Sequence, residues 1–237
     1  MYNITPLKSK RDQIKRTAGQ RSFDLPGPGS LILVGSVKSG KTTIIGNLLM
    51  KSTMLKGYFD KVYLFCLSPC TTLIDNVPEL TDDYIFTDDN PEMLTKLYQQ
   101  NKALTKDIGF KRTPNVLFIL DDIIQSKKFM NSPTLGELFY SGSHCKCSIW
   151  ILTQNYMSIP RRMRMTSIGM IICHGVNNTE KERFAIEYQS AYLDKKEFME
   201  MIDHCLEKPF SFMFVNLDNS LRKYPLSALS SHDHWCT

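Results

Sequence analysis

Eight consecutive residues have the types and spacing of a loop that binds the phosphates of a nucleotide. The segment matches the pattern G-x-x-x-x-G-K-[ST], and it stands between an apolar run and a helical stretch, which is the context that the pattern requires. Its glycines allow a tight loop whose N–H groups point at phosphate oxygens, and the helix that follows adds its positive end. The predicted nucleotide-binding residues are Gly35, Ser36, Val37, Lys38, Ser39, Gly40, Lys41, Thr42 and Thr43.

Two residues of this loop have side chains suited to a nucleoside triphosphate with Mg²⁺. We expect the Lys41 ammonium to reach the β- and γ-phosphates, and the Thr42 hydroxyl to bind the metal ion. The sequence therefore predicts ATP and Mg²⁺ as ligands.

A pair of carboxylates follows a fully apolar run. Residues 116–120 read VLFIL and are followed by Asp121 and Asp122. Ligands of open α/β sheets bind beyond the carboxyl ends of the strands, so the pair should emerge beside the loop. We expect Asp121 to contact Mg²⁺ directly or through a water, and Asp122 to polarise the water that attacks the γ-phosphate. Two acids that begin a solvated turn are the alternative.

A second apolar run, 149–152, ends in neutral polar residues. Gln154 is the candidate to orient the attacking water and to sense the γ-phosphate, although a glutamine that only caps a strand is an equal alternative. Beyond it lie Arg161, Arg162 and Arg164, one of which could act on the ATP of a neighbouring subunit as an arginine finger. A solvated basic helix start explains the same residues.

The elements that must position these residues alternate along the chain, as in a parallel sheet covered by helices on both faces. Apolar runs predict strands at 31–34, 62–67, 116–120, 148–152, 169–173 and 210–216, and helical spacing predicts helices from 41 to about 54 and at 91–106, 178–188 and 194–205. The predicted fold class is therefore a three-layer α/β domain with a mostly parallel central sheet. It occupies 26–237, after a basic arm at 1–25.

Composition narrows the class of protein to which the chain can belong. The 237 residues are 42% hydrophobic and carry a net charge of +5, which suits one globular domain and permits a polyanionic partner. No apolar run approaches the roughly 18–20 residues that span a bilayer. The seven cysteines are scattered and read as reduced thiols, and His144, Cys145 and Cys147 lack the second ligand pair that a structural zinc site needs.

With these residues assembled, the chain resembles the genome-packaging ATPases of large double-stranded DNA viruses and virophages, the pox-type branch of the FtsK and HerA superfamily. The loop at 35–42, the acids and the segment 148–164 carry the resemblance, which spans about 27–216. The resemblance implies a RecA- or FtsK-like fold, a catalytic Asp122, a sensor role for Gln154 and the finger role for Arg164. Lys41 is the catalytic residue that the loop itself supplies. Many family members have glutamate where this chain has Asp122.

The resemblance also implies partners and a location. Double-stranded DNA would be the substrate of movement, and further copies of the chain would form a hexameric or pentameric ring. A capsid or membrane-associated virion protein would be the docking partner, in the host cytoplasm at the site of virus assembly and in the virion. Two alternatives stay open: a kinase for nucleosides or other small molecules, and a nucleotide-gated binding protein with vestigial hydrolysis.

Overall fold

The structure, a computed structural model, describes residues 29–52, 54–67, 73–74, 77–78, 80, 84–188, 194–217 and 228–230. The predicted basic arm at 1–25 lies outside the described residues.

A single sheet organises the described part of the chain. Its eight strands are β1 (Ser30–Val34), β2 (Lys61–Cys66), β3 (Ile85–Phe86), β4 (Val116–Asp121), β5 (Cys147–Thr153), β6 (Gly169–Cys173), β7 (Phe212–Asn216) and β8 (Ala228–Ser230). They lie in the order β3-β2-β4-β5-β1-β6-β7-β8. The six strands from β3 to β6 in this order pair in parallel, β7 is antiparallel to β6, and β8 is antiparallel to β7. The prediction of a mostly parallel sheet is confirmed.

Seven α-helices have their bounds within the described residues, and two of them illustrate how residue types set a helix end. They are α1 (Lys41–Met50), α2 (Glu92–Ile108), α3 (Lys127–Met130), α4 (Pro133–Ser141), α5 (Arg161–Thr166), α6 (Asn178–Tyr188) and α7 (Lys195–Cys205). Asp194 and Glu197 form a capping box at the start of α7, where each side chain accepts a backbone N–H of the other residue. Gly109 ends α2 at a φ of 80°, a conformation that favours glycine.

The core lies in two layers because strand side chains alternate between the faces of the sheet. Leu31 and Leu33 of β1 pack on one face with Ile45 and Leu48 of α1. Ile32 and Val34 belong to the other face, which α2, α4, α5, α6 and α7 cover through buried residues such as Leu94, Leu138, Met163, Phe184 and Phe198. The predicted three-layer arrangement is confirmed.

The structure differs from the predicted elements mainly at boundaries and in short pieces. α1 ends at Met50 rather than near 54, because Lys51 adopts an extended conformation. β7 begins at Phe212 rather than at 210. The two-residue β3, the three-residue β8 and the short helices α3 and α4 were not predicted, since such lengths carry too little periodicity. α5 begins at Arg161, where the sequence left a basic helix start as one alternative. No helix in the described ranges combines the length and the apolar character needed to cross a bilayer.

Candidate functional site

The loop between β1 and α1 has the backbone geometry of a phosphate cradle. A Cβ added to Gly35 would lie 2.4 Å from Ser39 Oγ and 2.7 Å from Cys173 Cβ, so a larger residue has no room there. Gly40 has a φ of 95°, which lies in the left-handed region that glycine adopts without strain. The amide of Gly35 donates to the carbonyl of Thr153 at 3.0 Å, which fixes the start of the cradle to the end of β5.

The interior of the cradle holds the predicted lysine. Lys41 is buried, and its Nζ donates to the carbonyl oxygens of Gly35 at 2.8 Å and of Ser36 at 3.0 Å. Gly40 is the N-cap of α1, and α1 has no side-chain cap within the described residues. The first turn of a helix presents N–H groups without intrahelical partners, and Thr42 and Thr43 belong to that turn. The cradle therefore combines a cation with open amides, as an anionic phosphate requires.

Strand order brings the two predicted polar strand ends beside the cradle. β5 lies between β1 and β4, with Val34 paired to Thr153 and Leu152 paired to Asp121. Gln154, one residue past β5, therefore emerges between the cradle and the acids. Because Leu117 and Ile119 of β4 face the layer that contains α1, the alternation of β4 directs Asp121 to the same face.

Asp122 and Gln154 are in direct contact. Gln154 Nε2 donates to Asp122 Oδ2 at 2.9 Å, and the amide of Asp122 donates to the carbonyl of Leu152 at 3.1 Å. Asp122 has a φ of 50°, and this left-handed turn redirects the chain directly after β4. The two side chains with predicted roles towards the attacking water therefore form one unit.

The environment of Asp121 fits a divalent cation. Burial and then the charge of Asp122 raise the pKa of Asp121 to about 6, and the Lys41 ammonium opposes the rise. A cation at this position would relieve the same repulsion. Mg²⁺ prefers oxygen ligands and is held by one or two carboxylates together with substrate phosphates, so the Thr42 hydroxyl and the Asp121 carboxylate fit it. Within the described ranges, no three or more His, Cys, Asp and Glu residues form a group that could hold a metal ion.

Arg164, the arginine to which the resemblance gives the finger role, is buried away from the surface. Its Nε donates to Glu187 Oε2 at 2.9 Å, its Nη2 donates to Glu187 Oε1 and its Nη1 donates to the carbonyl of Ile159. The guanidinium lies over the ring of Tyr156, 4.6 Å from the centroid. In this conformation Arg164 holds α5 and α6 together and does not face a neighbouring molecule, so its role as a finger stays a prediction.

The other two arginines of α5 are exposed. The side chain of Arg161 is 74% exposed and lies 4.0 Å from Glu187, at the limit of an ion pair. Arg162 is also exposed. Of the three arginines left open by the sequence, these two have the access that a contact in trans requires.

Two residues that contact predicted site residues were not themselves predicted. Gly175 has a φ of 83°, and a Cβ there would lie 2.5 Å from Ser36 Oγ, so the loop after β6 closes against the cradle. Its position two residues after an apolar run is a signal that strand-end reasoning could have used. Glu187 is the acid that holds Arg164, and its position within α6 gives no such signal.

The comparisons with known proteins agree with this geometry. Residues 25–211 match the family model described as Poxvirus A32 protein. The DNA-packaging ATPase B204 of Sulfolobus turreted icosahedral virus has 13% identity and a TM-score of 0.60, over 86% of this chain and 98% of that chain. The genome packaging NTPase B204 of Sulfolobus turreted icosahedral virus 2, in complex with AMPPCP, has 16% identity and a TM-score of 0.56, over 86% and 96%.

A third solved structure, the cytoplasmic domain of EssC, has 17% identity and a TM-score of 0.51, over 69% of this chain and 34% of that chain. At these identities the solved structures establish the fold alone. A search of curated proteins found no match. The match to the family model extends over well more than half of the 237 residues, and the chain therefore belongs to the poxvirus A32 protein family.

Proposed function

We propose that this protein is an ATP-hydrolysing motor that moves double-stranded viral DNA into a preformed capsid. The observation that carries the proposal is the hydrogen bond between Gln154 and Asp122 beside a phosphate cradle. A protein that only bound nucleotide would need the cradle alone, whereas this pair adds what hydrolysis requires. The B204 proteins, which share the fold, are described as genome-packaging ATPases, and the membership of the A32 family agrees with that role.

The residues divide the work of hydrolysis among them. Lys41 exchanges its contacts with the carbonyls of Gly35 and Ser36 for the β- and γ-phosphates of ATP. Thr42 and Asp121 would hold Mg²⁺, which when bound neutralises charge on those phosphates.

Gln154 and Asp122 act on the attacking water. Gln154 orients the water, and Asp122 accepts its proton as the oxygen bonds to the γ-phosphorus and the bond to the β,γ-bridging oxygen breaks. Because Gln154 contacts both Asp122 and the incoming water, loss of the γ-phosphate changes the contacts of Gln154 and of the segment that follows it.

The same proposal covers the partners. The excess of basic residues, +5 over the chain, suits a DNA backbone, and the basic arm at 1–25 is the segment richest in them. We propose that the protein forms a hexameric or pentameric ring in which Arg161 or Arg162 contacts the ATP of the next subunit. It would work in the host cytoplasm, where virions assemble, against a capsid or membrane-associated virion protein.

The test of the motor is ATP turnover by the full chain with and without duplex DNA. We expect duplex DNA to stimulate turnover, because a motor couples hydrolysis to its track. Lys41→Ala should lower turnover by roughly 10²–10³-fold, since it removes a charge aimed at the transferring phosphoryl group. Lys106→Ala is the matched control, because Lys106 is an exposed lysine in the last turn of α2.

Two results would contradict the proposal. Turnover that ignores DNA, together with transfer of phosphate to a nucleoside, would select the kinase alternative, although neither the family nor either B204 structure is described as a kinase. Equal turnover by Lys41→Ala and Lys106→Ala would remove the cradle from the mechanism.

The contact in trans has a separate test. If Arg161 is the finger, subunits with Arg161→Ala and subunits with Asp122→Asn are each inactive alone, and mixed rings should regain activity wherever an intact arginine meets an intact acid. Arg162→Ala is tested in the same way. Failure of both mixtures, in rings shown to be mixed by native mass spectrometry, would exclude an arginine of this pair as the finger.

A further inference from the structure

A phenylalanine stands exposed at the rim of the cradle. Phe210 is 70% exposed, the largest value among the exposed hydrophobic side chains in the described part of the chain. A Cβ placed on Gly40 would lie only 3.7 Å from Cδ1 of Phe210, so the ring adjoins the start of α1. Its place beside the cradle would let the ring gain stabilisation by burial against a ligand held there.

The topology of the sheet explains how Phe210 reaches this edge. β7 runs antiparallel to β6, and Phe212 at its start pairs with Cys173 at the end of β6. The turn before β7 therefore lies at the carboxyl edge of the parallel strands, on the side of β1 opposite to Gln154. The site has the catalytic pair on one side of the cradle and Phe210 on the other.

The turn that carries Phe210 is held in place. Ser211 is buried, and both its amide, at 3.1 Å, and its Oγ, at 2.6 Å, donate to the carbonyl of Lys208. The carbonyl of Ser211 accepts the amide of His174 at 2.8 Å, which joins the turn to the end of β6. Phe210 itself has a φ of 62°, a conformation that is unfavourable for a bulky side chain and persists only where the surroundings impose it.

A nucleotide whose phosphates occupy the cradle must leave its sugar and base outside, on the rim. Stacking of a nucleobase on an aromatic side chain is favourable and tolerant of base identity, because every base has a π-face. We infer that Phe210 is the platform on which the base of the bound nucleoside triphosphate stacks. The inference rests on the proposed ATP hydrolysis and adds the part of the site that recognises the nucleoside.

The experiment separates the base from the phosphates. Dissociation constants for ATP and for inorganic triphosphate are measured by titration calorimetry on the full-length wild type, Phe210→Ala and Phe210→Trp. Phe210→Ala should weaken ATP binding by about 5- to 150-fold and leave triphosphate binding unchanged. Phe210→Trp should retain the affinity for ATP. Tyr140→Ala, which removes a 46% exposed aromatic ring from α4, should change neither constant.

Other binding results would contradict the role of Phe210 or the proposed function. If Phe210→Ala binds ATP as tightly as the wild type, or loses affinity for ATP and triphosphate by the same factor, Phe210 does not bind the base. The proposed hydrolysis survives either result, because the wild type still binds ATP. If the wild type binds neither ligand, the proposed function and this inference both fail.

Discussion

Breaking the buried ion pair between Arg164 and Glu187 would distinguish a structural role of the arginine from a catalytic one. The side chain of Arg164 is 4% exposed and that of Glu187 is 13% exposed, so removal of one partner leaves the other charged in a poorly hydrated site. Breaking such a pair costs about 3–5 kcal/mol, whereas replacing both partners by apolar residues is often close to neutral. We therefore expect Arg164→Met and Glu187→Met to be severely destabilising and the double variant to recover most of the loss.

The expected loss of folding stability is large enough to measure by thermal unfolding. For a chain of 150–250 residues, 1 kcal/mol corresponds to a shift of about 2–4 °C in the midpoint of thermal unfolding, so each single variant should unfold about 6–20 °C below the wild type. Circular dichroism during heating, without nucleotide, measures the shift. Arg161→Met is the matched control, because this arginine is 74% exposed and its loss should change the stability by less than about 0.5 kcal/mol.

The pair also predicts how stability depends on pH. Burial raises the pKa of Glu187, but hydrogen bonds from Arg164 and Tyr156 and the charges of Arg164 and Arg161 outweigh it, so the pKa is lowered overall; the hydroxyl of Tyr188 lies in the same cluster. A carboxyl with a lowered pKa in the folded state stabilises above its unfolded pKa, and this contribution is lost as the pH falls through the folded value. The midpoint difference between the wild type and Glu187→Gln should be constant from pH 8 to 5 and shrink below about pH 4.

The opposite outcome would refute the structural role. If Arg164→Met unfolds at the same temperature as the wild type and has lost ATP turnover, the guanidinium cannot be a buried support in solution. It would then have to leave Glu187 to reach the ATP of a neighbouring subunit, as the resemblance implies. If Arg164→Met is destabilised and Arg161→Met is stable but inactive, the finger belongs to Arg161.

A backbone angle, a hydrogen bond and a helix cap can each be tested by single substitutions. Gly40→Ala should weaken ATP binding and leave the midpoint of thermal unfolding within a few degrees of the wild type. A φ of 95° costs a side chain about 1–3 kcal/mol, so the loop should relax out of its phosphate-binding shape. An unchanged dissociation constant for ATP in calorimetry would contradict this prediction. Asp122→Asn and Gln154→Ala should each lower kcat by about 10²-fold or more with little change in KM. Because the two side chains act together, the double variant should be no slower than the slower single variant. Additive losses in steady-state assays would show that the two residues act independently. Asp194→Ala should lower the free energy of unfolding in urea by about 1 kcal/mol without affecting turnover, because it removes the N-cap of α7, far along the chain from the cradle. An equal loss in Lys196→Ala would show that the cap is not responsible.

The sequence predicts the central strands and the cradle because their physical signals are local. Parallel strands buried on both faces read as continuous apolar runs, and β1, β4, β5 and β6 are such runs, with every residue from 30 to 34 buried. The cradle needs glycine where a Cβ has no room or where φ is positive, so its spacing can be read from residue types. The resemblance to pox-type packaging ATPases, which rests on the same local motifs, is confirmed by the family match.

The parts that could not be predicted depend on contacts between distant residues. Neither the position of β5 between β1 and β4 nor the antiparallel direction of β7 leaves a local pattern. The burial of Arg164 could not be predicted, because its partner Glu187 lies 23 residues further along the chain. The basic arm and the domain boundary near 25 stay predictions, since they lie outside the described residues.

Backbone strain marks the functional edge of the sheet independently of any resemblance. Four residues other than glycine have a positive φ among those that the structure describes, and Lys38, Asp122 and Phe210 are three of them. Lys38 lies in the cradle, Asp122 follows β4 and Phe210 precedes β7, so all three lie at one edge. A strained backbone persists where the surrounding structure imposes it, and such residues cluster at active sites. The backbone conformation of Asp122, the proposed catalytic base, is thus shared by Phe210, which supports a place for Phe210 in the site.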